Sequence, residues 1–193
     1  MKPPELVVIG TSLGGLNALT KVLGGLPEKF RVPVTVVQHR TLSPAGSGLA
    51  KLLQQSTPLT VVEAEDKMAL EPGRIYLAPA DYHLMIEEPG RVALSTDGPV
   101  RAARPSIDVL FQTAADAYRE ALLGVLLTGA SADGAEGLAA VKAQGGRAIV
   151  EDPATAECRT MPAAALAATA VDYVLPLERI GDHLVTLVQG TRA

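Results

Sequence analysis

The chain has little cysteine, few aromatics and no long apolar run, and each shortage removes a class of function. Cys158 is the single cysteine, which excludes an intrachain disulfide and a CxxC metal site. Aromatic residues make up 3% and tryptophan is absent, so the stacking platforms that hold sugars or single-stranded nucleic acid are disfavoured. Basic residues are outnumbered, 17 against 21 acidic, for a net charge of −4. That balance gives no footprint for nucleic acid. No apolar stretch approaches the ~20 residues that span a bilayer, and MKPPELVVIG lacks the apolar core and cleavage site of a signal peptide. The expectation is a cytoplasmic protein with no membrane insertion. No His, Asp or Glu cluster has metal-ligand spacing, and no cofactor is expected.

What is present reads as one globular domain over residues 1–193, 48% hydrophobic and 20% charged, large enough for a substantial core. Short apolar runs alternate with helical patterns. Leu6–Ile9, Val34–Gln38, Leu122–Leu127, Ala148–Val150 and Tyr173–Leu175 read as strands. Helices are expected at Leu16–Leu23, around Leu49–Gln55, from Ser106, over Ala135–Gln144, in the Ala163–Ala170 stretch and near Ile180–Val188. Between them lie short extended runs at Leu59–Glu63, Arg74–Ala78, Leu84–Glu87 and Val92–Ser95, with Pro89-Gly90 read as a hairpin turn between the last two. The fold class expected is α/β: a doubly wound, mostly parallel sheet with helices on both faces and a small antiparallel excursion in the middle.

The segment Val7–Leu19 places Ser12 in the turn between a buried strand and a helix, with Gly10, Gly14 and Gly15 around it. Gly10-x-Ser12-x-Gly14 matches the G-x-S-x-G nucleophile elbow. A serine there can equally cap the helix, and the Gly-rich turn can equally seat a phosphate. The segment alone leaves all three open. A serine nucleophile needs a base, and there are 3 histidines. His39 follows Val36-Val37-Gln38 and so stands at a strand end, on the sheet edge that Ser12 occupies. His83 opens a middle strand, and His183 falls in the last helix, where an exposed role is expected. A carboxylate should orient the imidazole. Asp133, in the small-residue loop Leu127–Gly134, is the leading candidate; it could also cap the helix at Ala135. Glu63, Glu65 and Asp66 read as an exposed, solvated patch; Glu151 and Asp152 could approach the crevice from a strand end, but they flank Pro153 and read as a turn. The chain order Ser12, His39, Asp133 differs from that of the α/β-hydrolases.

Several ordered motifs together resemble the catalytic domain of the CheB protein-glutamate methylesterases, which demethylate chemotaxis receptors. They are Gly10-Thr11-Ser12-Leu13-Gly14-Gly15, Val37-Gln38-His39, Pro72–Pro79, Asp97-Gly98-Pro99, Arg104–Phe111 and Leu127–Ala135. The resemblance implies a serine esterase with Ser12 as nucleophile, His39 as base and Asp133 as the orienting carboxylate. Its implied substrate is a glutamate γ-methyl ester on the cytoplasmic helices of a methyl-accepting chemoreceptor, and family members also deamidate receptor glutamines. The implied oxyanion and pocket positions are Leu13, Gly14, Gly15 and Ala130. Leu13 replaces the family's usual threonine beside the nucleophile, and Ala130 its usual methionine. Both changes bear on pocket shape and hence on substrate preference. The phosphorylatable receiver domain of many relatives is not expected here. The alternative function is a non-catalytic chemosensory adaptor, or a nucleotide- or phosphate-binding module, on the same scaffold; against the latter, G-x-G-x-x-G and the P-loop lysine are missing.

Overall fold

A computed structural model describes residues 2–40, 48–87 and 90–189. Seven parallel strands form the main sheet, in the order β3-β4-β2-β1-β7-β8-β9. Strand β1 (Leu6–Thr11) pairs with β2 (Val34–Gln38) on one side and with β7 (Leu122–Leu126) on the other. Beyond β2 lie β4 (Arg74–Leu77) and β3 (Thr60–Glu63); beyond β7 lie β8 (Arg147–Glu151) and β9 (Tyr173–Leu175). The winding direction therefore reverses between β1 and β7, which opens a crevice beyond their C-terminal ends.

Every residue of β1 and β7 is buried, as expected for strands covered on both faces. Alternation along β1 divides the core. Leu6 and Val8 point into one cluster with Ile107, Phe111 and Leu138, while Val7 and Ile9 point into the other with Leu19, Leu23 and Leu184. The first layer is built from α3 (Ile107–Tyr118), α4 (Ala135–Ala143) and α5 (Thr160–Ala168). The second is built from α1 (Gly15–Gly24), α2 (Leu49–Gln54) and α6 (Leu177–Gln189). The parallel doubly wound sheet and its helical layers match the expectation. The small antiparallel excursion in the middle is also present, between the last two of the middle segments. Segments β3 and β4 are parallel members of the main sheet, and only β5 (His83–Glu87) and β6 (Arg91–Ser95) form an antiparallel pair. Pro89, half of the expected hairpin turn, lies outside the described residues.

One glycine determines how close the layers come beside the crevice. A Cβ on Gly10 would stand 2.3 Å from Ile107 Cγ2, so glycine near the end of β1 lets the first residue of α3 rest directly on the strand. The N-terminus of α3 thereby reaches the same edge as the turn after β1.

Candidate active site

Three loops meet at this edge. Ser12 follows β1, His39 follows β2, and Asp133 lies in the loop between β7 and α4. The Ser12 turn is held by its backbone: its N–H donates to Thr128 C=O at 3.0 Å, and its C=O accepts from Gly15 N–H at 2.9 Å. Thr128 Oγ1 donates to Leu13 C=O at 2.9 Å and fixes the other side of the turn. Gly14 takes φ 80°, a left-handed conformation that glycine adopts without strain. It is the N-cap of α1, and no side chain caps that helix. The Ser12 hydroxyl makes no hydrogen bond among the described residues, so the helix-cap alternative does not hold. The N–H groups of Leu13 and Gly14 are likewise unpaired among the described residues, at the positive end of α1.

Ser12 and His39 line one cleft of 580 Å³, together with Leu13, Gly14 and Gly15. Asn17, Gln38 and Glu157 add polar groups to its wall. No lysine or arginine lines it, and the Glu157 side chain lies against Gly14, 2.8 Å from where a Cβ would stand. A carboxylate in that position opposes a bound phosphate, so the phosphate-turn alternative loses its electrostatic basis. Leu13 and Leu16 stand 58% and 41% exposed at the rim. Ala130 is exposed and is not among the lining residues; its neighbour Gly129 packs against Ser12, whose Cβ would lie 2.9 Å from a Cβ at that glycine.

His39 connects this cleft to the interior. Its Nε2–H donates to Asp133 Oδ2 at 2.7 Å, which leaves Nδ1 as the ring nitrogen available to accept a proton. Asp133 is fully buried and its oxygens are saturated. Oδ2 also accepts from Ile107 N–H at 2.7 Å; Oδ1 accepts from Ser106 Oγ at 2.8 Å and Asp108 N–H at 3.1 Å. Burial alone would push this carboxyl up. The hydrogen bonds from His39, from the Ile107 and Asp108 N–H groups and from Ser106 outweigh it and hold the group below the ordinary aspartate value. Asp133 therefore stays ionised beside the imidazole.

The expected cap at Ala135 falls elsewhere. The N-cap of α4 is Gly134, and Asp133 instead fills the N-terminus of α3. The reciprocal position is taken by Asp108, from the first turn of α3. Its Oδ1 accepts from Gly134 N–H at 2.9 Å and Gly137 N–H at 2.7 Å, so it fills the N-terminus of α4. Burial and the neighbouring Asp133 charge push Asp108 up, against the Gly137 hydrogen bond and the Arg101 ion pair.

Ser106, His83 and Glu151 also hold the loops of the site. Ser106 caps α3 and also donates to Asp133. His83 is buried; its Nδ1 accepts from Ser106 N–H at 3.2 Å and its Nε2–H donates to Gly98 C=O at 3.1 Å. Glu151, expected in a turn, ends β8 buried, and its Oε2 accepts from Thr128 N–H at 2.7 Å. Glu63 is exposed as expected and also pairs with Arg40 at 2.5 Å. Arg40 also lines a second cleft of 610 Å³ on the other side of His39, where Arg104 is paired with Asp81 at 2.6 Å. Ser106 was legible as the start of a helix, but nothing local to the sequence indicates that its hydroxyl reaches Asp133. His183, expected to be exposed, is half-buried and packs edge-on against Tyr173, with ring centroids 4.2 Å apart. Among the described residues no group of three or more His, Cys, Asp or Glu side chains could hold a metal ion, and no helix is long and apolar enough to cross a membrane.

Comparison with known proteins gives this arrangement its context. A Leptospira interrogans homologue is 44% identical over 186 residues, 96% of each chain. An Anaeromyxobacter dehalogenans protein named protein-glutamate methylesterase/protein-glutamine glutaminase 2 is 46% identical over 96% of this chain, which spans 54% of that protein's length. The crystal structure of the Thermotoga maritima CheB methylesterase catalytic domain superposes with a TM-score of 0.90 at 36% identity, covering 97% of this chain and 100% of that one. The family model for CheB methylesterase matches residues 7–184, and the chain belongs to that family.

Proposed function

We propose that the chain is a serine esterase that hydrolyses glutamate γ-methyl esters on the cytoplasmic helices of chemoreceptors, releasing methanol, and that the same machinery deamidates receptor glutamines. The observation that carries this reading is an unbonded serine hydroxyl at an uncapped helix N-terminus, sharing a cleft with a histidine hydrogen-bonded to a buried carboxylate. A serine free to rotate, a base held in one tautomer and unpaired N–H donors are the parts that acyl transfer needs. The names of the relatives supply the substrate class.

In this mechanism Ser12 Oγ attacks the ester carbonyl as His39 Nδ1 takes its proton. Asp133 holds the Nε2–H tautomer and stabilises the imidazolium that forms. The N–H groups of Leu13 and Gly14, at the positive end of α1, receive the developing oxyanion, each donor worth about 3–4 kcal/mol by analogy with measured oxyanion holes. The imidazolium returns its proton to the departing methoxide, giving methanol and an acyl-Ser12 ester. His39 then activates a water, which releases the glutamate side chain and regenerates the serine. For an amide substrate the imidazolium proton goes to the leaving amide nitrogen, which departs as ammonia. The rim formed by Leu13 and Leu16 is an apolar seat for a helix carrying the ester.

Methanol release from a methylated receptor fragment, compared between the wild type and Ser12→Ala, tests the reading. Equal release by the two proteins would sink it.

A further inference from the structure

The cleft around Ser12 holds one fixed charge that this mechanism does not use. Glu157 lies in the loop between β8 and α5, and its side chain crosses the N-terminus of α1. A Cβ on Gly14 would stand 2.8 Å from Glu157 Oε2 and 3.0 Å from its Cβ. The backbone beside Glu157 is anchored. Cys158 N–H donates to Thr128 Oγ1 at 2.8 Å, and Cys158 C=O accepts from Gly129 N–H at 3.2 Å. The Glu157 carboxylate itself has no hydrogen bond or ion pair among the described residues, and the other titratable residue lining this cleft is His39. A carboxylate is thus held at the mouth of the nucleophile's cleft without an ion-pair partner among the described residues.

Ester hydrolysis turns a neutral group into an anion in place. The uncapped N-terminus of α1 is suited to keep that anion, because unpaired N–H groups and the helix dipole together make an anion seat. A serine esterase built on such a turn is prone to retain its own product. A fixed negative charge at the same mouth acts unequally on the two states. It repels the carboxylate product and leaves an uncharged ester or amide nearly unaffected.

We propose that Glu157 is a charge-selecting residue of the Ser12 cleft, favouring the uncharged ester and amide over the carboxylate product and so promoting product release. The inference rests on the esterase reading of Ser12 and goes beyond it, because it assigns a specificity role to a residue outside the reacting groups. Glu157 is exposed at the cleft mouth, so solvent and salt screen the effect and its expected size is modest.

Equilibrium binding separates this inference from the chemistry. In the Ser12→Ala protein, a receptor cytoplasmic fragment is titrated in two forms, with glutamate or with glutamine at the modification sites. The glutamate form is expected to bind more weakly than the glutamine form. Adding Glu157→Gln should tighten the glutamate form roughly 3–10-fold at low ionic strength, from the Coulomb energy of two charges several ångströms apart near water. The glutamine form should change less than about 2-fold, the advantage should shrink at about 0.5 M salt, and Glu157→Asp should behave as the parent. Equal changes in both forms, no change in either, or no binding of either form overturns the proposal. Methanol release by the wild-type protein is measured separately. Its absence with charge selection intact defeats the esterase reading alone, and its presence without charge selection defeats this inference alone.

Discussion

Helices α1, α3 and α4 all begin beside the crevice, and the chain treats their N-termini in opposite ways. Those of α3 and α4 are filled: Asp133 accepts from the N–H groups of Ile107 and Asp108, and Asp108 accepts from those of Gly134 and Gly137. The N-terminus of α1 begins at Gly14 with no side-chain cap, next to a serine whose hydroxyl is unbonded. The filled ends are buried and bind two layers of structure together. The unfilled end faces a cleft. Orphan N–H groups at a helix start cost stability when buried and unpaired, so one left open to solvent is a place where a ligand's negative charge can be received. The crossed aspartates also give the packing of the helices and the proposed site a shared residue. Asp133 ties α3 to the β7–α4 loop and, through the same Oδ2, holds His39.

This contrast predicts a division between variants that remove activity and variants that remove stability. Ser12→Ala should give the largest activity effect, with kcat on methyl ester falling about 10⁴–10⁶-fold, as when a nucleophile is deleted from an acyl-transfer unit. The thermal midpoint should stay within about 1 °C, because the lost hydroxyl satisfies no other group. Calorimetry on the purified variant checks the second half; a large fall in the midpoint would mean that the hydroxyl is structural. Asp133→Asn should cost on both counts. An amide there presents N–H to His39 or to the α3 donors, so one set loses its acceptor and the imidazole loses its fixed tautomer. Activity should fall about 10³–10⁴-fold and stability by about 2–4 kcal/mol, from several buried donors left unpaired. An unchanged midpoint would break the claim that Asp133 belongs to the packing of α3 as well as to the site.

Asp108→Ala isolates the structural half of the crossed pair. It leaves Gly134 and Gly137 N–H without an acceptor and removes one of the two ion pairs of Arg101, the other being to Glu136. A loss of about 1–3 kcal/mol is expected, which corresponds to a midpoint lower by roughly 3–10 °C in a chain of this size. Activity at 25 °C should stay within about 3-fold, because Asp108 touches neither Ser12 nor His39. A loss of activity comparable to that of Asp133→Asn would mean that the two caps are not separable. A smaller effect belongs to the rim. Leu13 is 58% exposed beside Ser12, and an apolar side chain covered by substrate contributes in proportion to the area buried. Leu13→Ala should raise KM about 3–10-fold with kcat little changed. A change confined to kcat would place Leu13 in the reacting geometry instead of the binding surface.

The sequence made the local half of this comparison legible and concealed the half that crosses between elements. The strand–turn–helix at Ser12 is written in β-branched and glycine residues within one window. His39 and Asp133 were legible because strand ends in a parallel sheet converge, so a polar residue just past an apolar run is placed by topology. The resemblance of the motifs then supplied roles that position alone left open. The destination of each aspartate was not legible. Asp133 sits just before α4 and Asp108 in the first turn of α3, and each satisfies the other helix. A cap signal in sequence identifies a helix start but not which start a carboxylate reaches when two starts are packed together. Glu151 shows the same limit: Pro153 and Asp152 beside it favour a turn over the strand end also open to it, while its side chain turns inward from the end of β8 to Thr128 N–H, 23 residues away. Glu63 is exposed as expected, and only its ion pair with Arg40, from a different strand end 23 residues away, was not legible.

The two aspartates also respond to acid in opposite senses, which gives the finest test of their crossed placement. Asp133 is held below the ordinary aspartate value, its hydrogen bonds outweighing burial. Its contribution to stability is present above the unfolded value near ~3.9 and is lost as pH falls through the lower folded value. Asp108 is pushed up, first by burial and then by the Asp133 charge. Its contribution is present below the unfolded value and is lost as pH rises through the higher folded one. Thermal midpoints of the wild type, Asp133→Asn and Asp108→Asn, measured between about pH 3 and 6, should therefore diverge in opposite directions. The deficit of Asp133→Asn relative to wild type should widen as pH rises, because the wild type alone gains an ionised, well-bonded carboxylate. The midpoint of Asp108→Asn relative to wild type should shift in the variant's favour over the same range, because the wild type alone must ionise a buried group beside another negative charge. Slopes of the same sign would mean that one shared titration governs both groups. Opposite slopes would assign the stabilising charge to Asp133, the residue that also faces His39.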